Sequence, residues 1–162
     1  MTRGTHPHDP DRPGRRRPDR AHRRLLGWDP GDHPPRPRAV PVEATQGLEE
    51  FSHLEVVFFF HLTDQTDLNL GLRRARENPA WPEVGNLGHR NMRRRNWLGI
   101  SRCKLIKVDG LDLHVEDFDA VDGTPVLDVK PWFAEFGTRG ETHQPAWVTE
   151  MLGDYFAPST EA

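Results

Sequence analysis

Residues 47–61 read Gly-Leu-Glu-Glu-Phe-Ser-His-Leu-Glu-Val-Val-Phe-Phe-Phe-His, a polar opening that runs into five consecutive apolar residues, Val56 to Phe60. β-Branched and aromatic residues without polar alternation predict a core strand covered on both faces, entered through a short turn or helical start. Downstream, Leu111, Leu113 and Val115 alternate with Asp112, His114 and Glu116. With Asp109-Gly110 as the turn, residues 102–116 predict a hairpin with one buried and one wet face. A further strand is expected at Val126, Leu127 and Val129, opened by the turn signal Asp122-Gly123 and closed by Pro131. Period-2 alternation there puts Asp128 and Lys130 on one face and Leu127 and Val129 on the other. The period changes at residues 145–156. Trp147, Met151 and Tyr155 form a stripe with Val148 and Leu152 beside it, and Pro145 suits the first turn of a helix. Residues 63–88, punctuated by Asn78-Pro79 and Trp81-Pro82, predict a long connection, a lid or RNA-contacting loop.

Composition changes this picture at one end. The 162 residues suffice for one domain, but 35% hydrophobic and 29% charged content imply that part of the chain is unpacked. Residues 1–40 hold eight Pro and ten Arg against five Asp, while 41–162 hold 12 basic against 20 acidic residues. No strand or helix period runs through residues 1–40. They are expected to be a disordered or atypical Arg/Pro-rich leader, with the folded domain at 41–158. Cys103 is the one cysteine, which excludes an intramolecular disulfide framework. The longest apolar run is too short to span a bilayer. A soluble, cytoplasmic protein without a membrane partner or a metal site is expected.

Candidate chemistry concentrates in two stretches. Asp122-Gly123-Thr124-Pro125-Val126-Leu127-Asp128-Val129-Lys130-Pro131-Trp132 packs two carboxylates and one ammonium into nine residues. Asp128 beside Lys130 admits two readings, a salt bridge on a solvated face or a polar cluster that holds a ligand. The second stretch, His89 to Ser101, places four Arg within six residues of an otherwise acidic domain. Asn96 and Trp97 follow, a hydrogen-bonding group and a stacking surface for an unstacked base.

Asp-Gly-Thr-Pro-Val-Leu-Asp-Val-Lys-Pro resembles the signature of the TsaA-like (TrmO) family. The resemblance covers about residues 42–156 and includes Gly-Leu-Glu-Glu-Phe-Ser-His-Leu, together with Arg94, Asn96, Leu98, Gly99, Ile100 and Ser101. Arg95 and Trp97 depart from the family pattern. The resemblance implies a mainly β fold, a small single-sheet β-barrel with a C-terminal helix that packs on the barrel or on a partner chain. It also implies an S-adenosylmethionine-dependent tRNA methyltransferase acting on the N6 nitrogen of threonylcarbamoyl-adenosine beside the anticodon, a homodimer with its cofactor near the interface. Cofactor contacts are expected at His61, Leu62, Arg90, Ile100, Asp119, Ala120, Val121 and Asp122. Alignment and proton transfer fall to Asp122, Asp128 and Lys130, and RNA contacts to Arg93, Arg94 and Asn96. The alternative is a non-enzymatic barrel that binds cofactor or RNA without methylating it. Family members begin with a strand that residues 1–40 do not reproduce, so the cofactor site is expected to be open on that side.

Overall fold

The apolar run of residues 56–60 becomes the middle of a sheet. In a computed structural model, which describes residues 40–64, 66 and 68–156 and the backbone of Arg23–Leu25, seven strands and one α-helix form. They are β1 (Arg23–Leu25), β2 (His53–Phe59), β3 (Leu72–Arg73), β4 (Val84–Gly85), β5 (Leu98–Asp109), β6 (Asp112–Glu116), β7 (Val126–Pro131) and α1 (Ala146–Leu152). Five of the strands make one antiparallel sheet in the order β1-β6-β5-β2-β7, and β3 and β4 pair separately.

Burial along β2 alternates. Leu54, Val56 and Phe58 are buried, whereas Glu55, Val57 and Phe59 are only half-buried. The expectation of two covered faces is therefore corrected: one face of β2 meets the core and the other remains accessible. The core cluster joins Leu54, Val56 and Phe58 to Cys103, Leu113, Val115, Phe118 and Ala120. Phe58 is its hub. Its ring meets Phe60 and Phe118 edge to face, with centroids 5.2 and 5.3 Å apart. A Cβ at Gly99 would lie 2.3 Å from that ring. Glycine at 99 is thus a packing requirement.

Two bulges set the faces. Between β2 and β7, Val57 pairs with Asp128 and Phe58 with Val126, so Leu127 is the extra residue. Val126 joins Val129 against the core, in place of the expected Leu127, because a bulge shifts the alternation by one. Asp128 and Lys130 stay on the outer face as predicted. In β5, Ile106 is the extra residue, which lets Leu105 and Val108 both reach the core.

The hairpin forms one residue later than expected. Asp109 pairs with Asp112, so the turn is Gly110-Leu111, with Gly110 at φ +60°. A glycine at positive φ in the first central position suits a II′ turn. Residues 63–88 also differ from a bare connection: β3 and β4 pair, and short 3-10 turns form at Ala75–Glu77 and Asn86–Gly88.

Two expectations of the fold class change. Arg23–Leu25 pairs with Val115, His114 and Leu113 of β6, so the leader contains a strand. Three residues are too few to show a period in sequence, and the free edge of β6 supplies the pairing. The rest of the expected disordered leader, residues 1–22 and 26–39, lies outside the described residues. No barrel closes among the described residues: β1 and β7 are the two edges of an open sheet and do not pair. β1 is too short to form a second ladder along the six residues of β7.

The chain divides after Trp132 into two units. The second contains α1, which ends at Leu152 with Gly153 as its C-cap, earlier than the expected residue 156. Trp147 is buried and Met151 half-buried on the predicted stripe, whereas Leu152 is exposed.

Replacing Gly99 by Ala should destabilise the protein by about 1–3 kcal/mol, the usual cost of overpacking a filled core. Phe58, 2% exposed, has no solvent side to which to retreat. Urea denaturation of Gly99→Ala against the parent measures it, and an unchanged midpoint would mean that Phe58 is not fixed there.

Candidate active site

The outer face of β5, β2 and β7 carries the polar residues of the motif in two rows. Across the first row, register places Glu55 between Arg102 and Lys130. Arg102 Nε lies 3.2 Å from Glu55 Oε2, and its guanidinium stacks 4.3 Å from the Trp132 ring centre. Across the second row, Val57 lies between Ile100 and Asp128. The rows are joined by Asp128 and Lys130, whose Oδ2 and Nζ are 2.6 Å apart.

This pair decides part of the chemistry. The hydrogen bond and charge of Asp128 hold the Lys130 ammonium above its ordinary value of 10.5. At neutral pH Lys130 is a cation that can orient or attract an anion, and it cannot accept a proton. Of the three motif residues expected to act, only Asp122 and Asp128 offer acceptor oxygens.

A second group gathers where β5 runs past the reach of β6. β6 pairs with residues 104–109 only, which leaves the start of β5 open on that side. Arg90 Nη2 donates to the Ile100 carbonyl at 3.1 Å, and the Asp119 N–H donates to Ser101 Oγ at 3.0 Å. The Phe60 N–H donates to the Trp97 carbonyl at 2.8 Å, which brings His61 and Leu62 beside the beginning of β5. The Phe59 N–H donates to the Pro125 carbonyl at 3.0 Å and draws in the turn of Asp122 and Gly123. Leu62, Ile100 and Val121 are 46–48% exposed. Asp119 and Asp122 are exposed as well, whereas Ala120 is buried in the core cluster.

The residues expected at RNA differ among themselves. Asn96 is exposed, Arg93 is half-buried, and Arg94 turns its Nη1 onto the His89 carbonyl. Arg94 thereby braces the loop. Trp97 has φ +49° and is half-buried, with its Nε1 buried and without a hydrogen-bond partner. Elsewhere, Cys103 has its thiol pushed up to about 12 by burial and by Asp117 and Asp119, and offers no thiolate. No group of three metal-ligating side chains occurs among the described residues. Sequence reasoning missed Glu55, Arg102 and Trp132, which meet only through register. It also missed Ser101, a buried hydroxyl that tethers the Asp119 loop.

Residues 36–138 match the model of the tRNA-methyltransferase O N-terminal domain. The chain belongs to this TrmO family. A human protein named tRNA (adenine(37)-N6)-methyltransferase is 31% identical over 120 residues, 74% of this chain and 27% of the human one. A probable S-adenosyl-L-methionine-binding protein of Pyrococcus abyssi is 34% identical over 110 residues, 68% of this chain and 56% of its own. A crystal structure of TrmO, 31% identical, superposes with a TM-score of 0.50 over 64% of this chain and 43% of that one. The chain thus spans between about a quarter and somewhat over half the length of these TrmO-like relatives.

Asp128→Asn should return the Lys130 titration toward 10.5. A raised lysine contributes stability that is fully present below its unfolded value and is lost as pH rises through the folded one. The parent should therefore exceed the variant in stability at neutral pH, and the difference should fade as pH rises above about 10. Side-chain NMR of Lys130 through an alkaline titration reads the shift; identical curves would show that the ion pair does not form in solution.

Proposed function

We propose that this chain is an S-adenosylmethionine-dependent tRNA methyltransferase acting on the N6 nitrogen of threonylcarbamoyl-adenosine beside the anticodon. One observation carries the reading. Arg90, Ile100 and Asp119 are held together at the start of β5, where Ile100 shares the outer face of the sheet with Val57 and Asp128.

The side chains there fit the cofactor. Its apolar and aromatic parts suit the exposed Leu62, Ile100 and Val121, its carboxylate suits Arg90, and its hydroxyl and ammonium groups suit Asp119 and Asp122. When bound, S-adenosylmethionine supplies a methyl group already activated by the sulfonium. The protein then has two tasks, to align a nitrogen and to take one proton. Asp122 and Asp128 are the acceptors for that proton. Lys130, a cation at neutral pH, orients Asp128 and attracts substrate anions.

The reading includes a homodimer in the cytoplasm. Exposed Leu62, Leu98 and Ile100 beside the site form apolar surface of the kind that subunits cover.

The test uses methyl-labelled S-adenosylmethionine and total tRNA. Label should appear in a modified adenosine, and Asp122→Ala and Asp128→Ala should each lower the rate by roughly tenfold or more. Cofactor binding by the parent protein without any labelled nucleoside would leave a binding module in place of an enzyme. Parental rates in both variants would remove the two carboxylates from the chemistry.

A further inference from the structure

The segment between β2 and β5 differs in charge from everything around it. Seven of the 12 basic residues in 41–162 lie between Arg73 and Arg95, alongside only Glu77 and Glu83. The remainder of 41–162 holds five basic against 18 acidic residues. Within residues 41–162, attraction for polyanions is thus concentrated in one module, the β3–β4 pair and the loop before β5.

Within that module is an open recess of ≈ 250 Å³ lined by Asn69, Arg73, Arg74, Glu77 and Arg93. Two buried polar side chains fix its wall. Asn86, 2% exposed, donates from Nδ2 to the Asn69 carbonyl at 2.7 Å and to the Arg93 carbonyl at 2.9 Å. His89, 7% exposed, sets Nε2 3.2 Å from the Arg73 carbonyl. Three of the five lining residues are therefore held at their backbone by a buried side chain. Both Nδ2 contacts of Asn86 are to carbonyls, so its amide cannot be turned round. Its Oδ1 is left buried with no partner.

Arg76 and Glu77, at the rim, adopt φ of +49° and +55°. Two consecutive left-handed residues other than glycine are unfavourable, and such strain concentrates where structure serves a ligand. Arg74 is braced by Glu83 at 2.8 Å. One arginine side chain held in advance, beside two whose backbone is anchored, suits a phosphate group, because less ordering remains to be done on binding.

We infer that this recess is a phosphodiester site, which grips the tRNA backbone away from the methyl-transfer face. The inference rests on the tRNA reading above and adds a second anchoring point to it. Glu77 is the one carboxylate in the lining. It weakens the grip and keeps the site from holding every polyanion strongly, so removing its charge must have the opposite effect to removing an arginine.

The experiment is tRNA binding as a function of salt for the parent protein, Arg73→Gln and Glu77→Gln, with S-adenosylmethionine affinity and methyl transfer measured in parallel. Arg73→Gln should reduce the slope of log affinity against log salt by about 1 and weaken binding severalfold. Glu77→Gln should tighten binding, and both variants should keep parental cofactor affinity. Methylation by the parent with an unchanged salt slope in Arg73→Gln would overturn the recess and leave the activity standing. Equal effects of the two variants would overturn it too. If the parent binds cofactor but no tRNA, the phosphodiester assignment falls. Titration with inorganic phosphate and 5′-AMP, followed at the Asn86 side-chain amide, then shows whether the recess takes free phosphate or nothing.

Discussion

The Phe58 ring fills the space that a side chain at position 99 would need, and much of the molecule depends on that contact. The ring lies over Gly99, its cross-strand partner near the start of β5. The same ring meets Phe118 edge to face, and Phe118 immediately precedes the loop in which the Asp119 N–H reaches Ser101 Oγ. One aromatic side chain therefore couples the core to both sides of the candidate site, the start of β5 and the Asp119–Asp122 loop. Interiors packed to this density transmit displacement, so a shift of Phe58 would be felt at exposed carboxylates whose own side chains never enter the core.

The site is built by bulges as much as by strands. Leu127 interrupts the β2–β7 ladder one residue before Asp128, and this allows Val126 and Val129 to face the core together. Without it, regular alternation from Val129 would turn Val126 outward and Leu127 inward. Bulges recur beside active sites because they re-aim a side chain at the cost of one ladder position. Here the bulge leaves Asp128 in line with Val57 and Ile100 on the outer face.

Most of the strands follow from local patterns, because alternation and turn chemistry are written within a few residues. The faces of Asp128 and Lys130, the hairpin and the start of α1 were legible on that ground. The Leu127 bulge and the one-residue shift of the 109–112 turn were not, since both depend on which partner strand is met and in what register. Arg23–Leu25 was hidden for a related reason: three residues carry no measurable period, and their strand character comes from the exposed edge of β6. In the site, the motif residues were readable as a cluster in sequence. The Glu55–Arg102–Trp132 arrangement was not, for its members lie 30 to 77 positions apart and are joined only across strands. Asn86 and His89 carried no signal either, because a polar residue destined to brace a backbone carbonyl looks in sequence like any loop residue.

Among the described residues β7 is an edge strand, and its outward features have a meaning apart from chemistry. An unpaired strand edge is a template on which another chain can add, and proteins discourage this with charges and proline. β7 carries Asp128 and Lys130 on its outer face and ends in Pro131, which has no N–H to offer. The residues read as a reaction site are thus also gatekeepers against strand addition. A variant stripped of those charges becomes more prone to self-association, and a fall in its turnover reports on chemistry only for the fraction that remains dispersed.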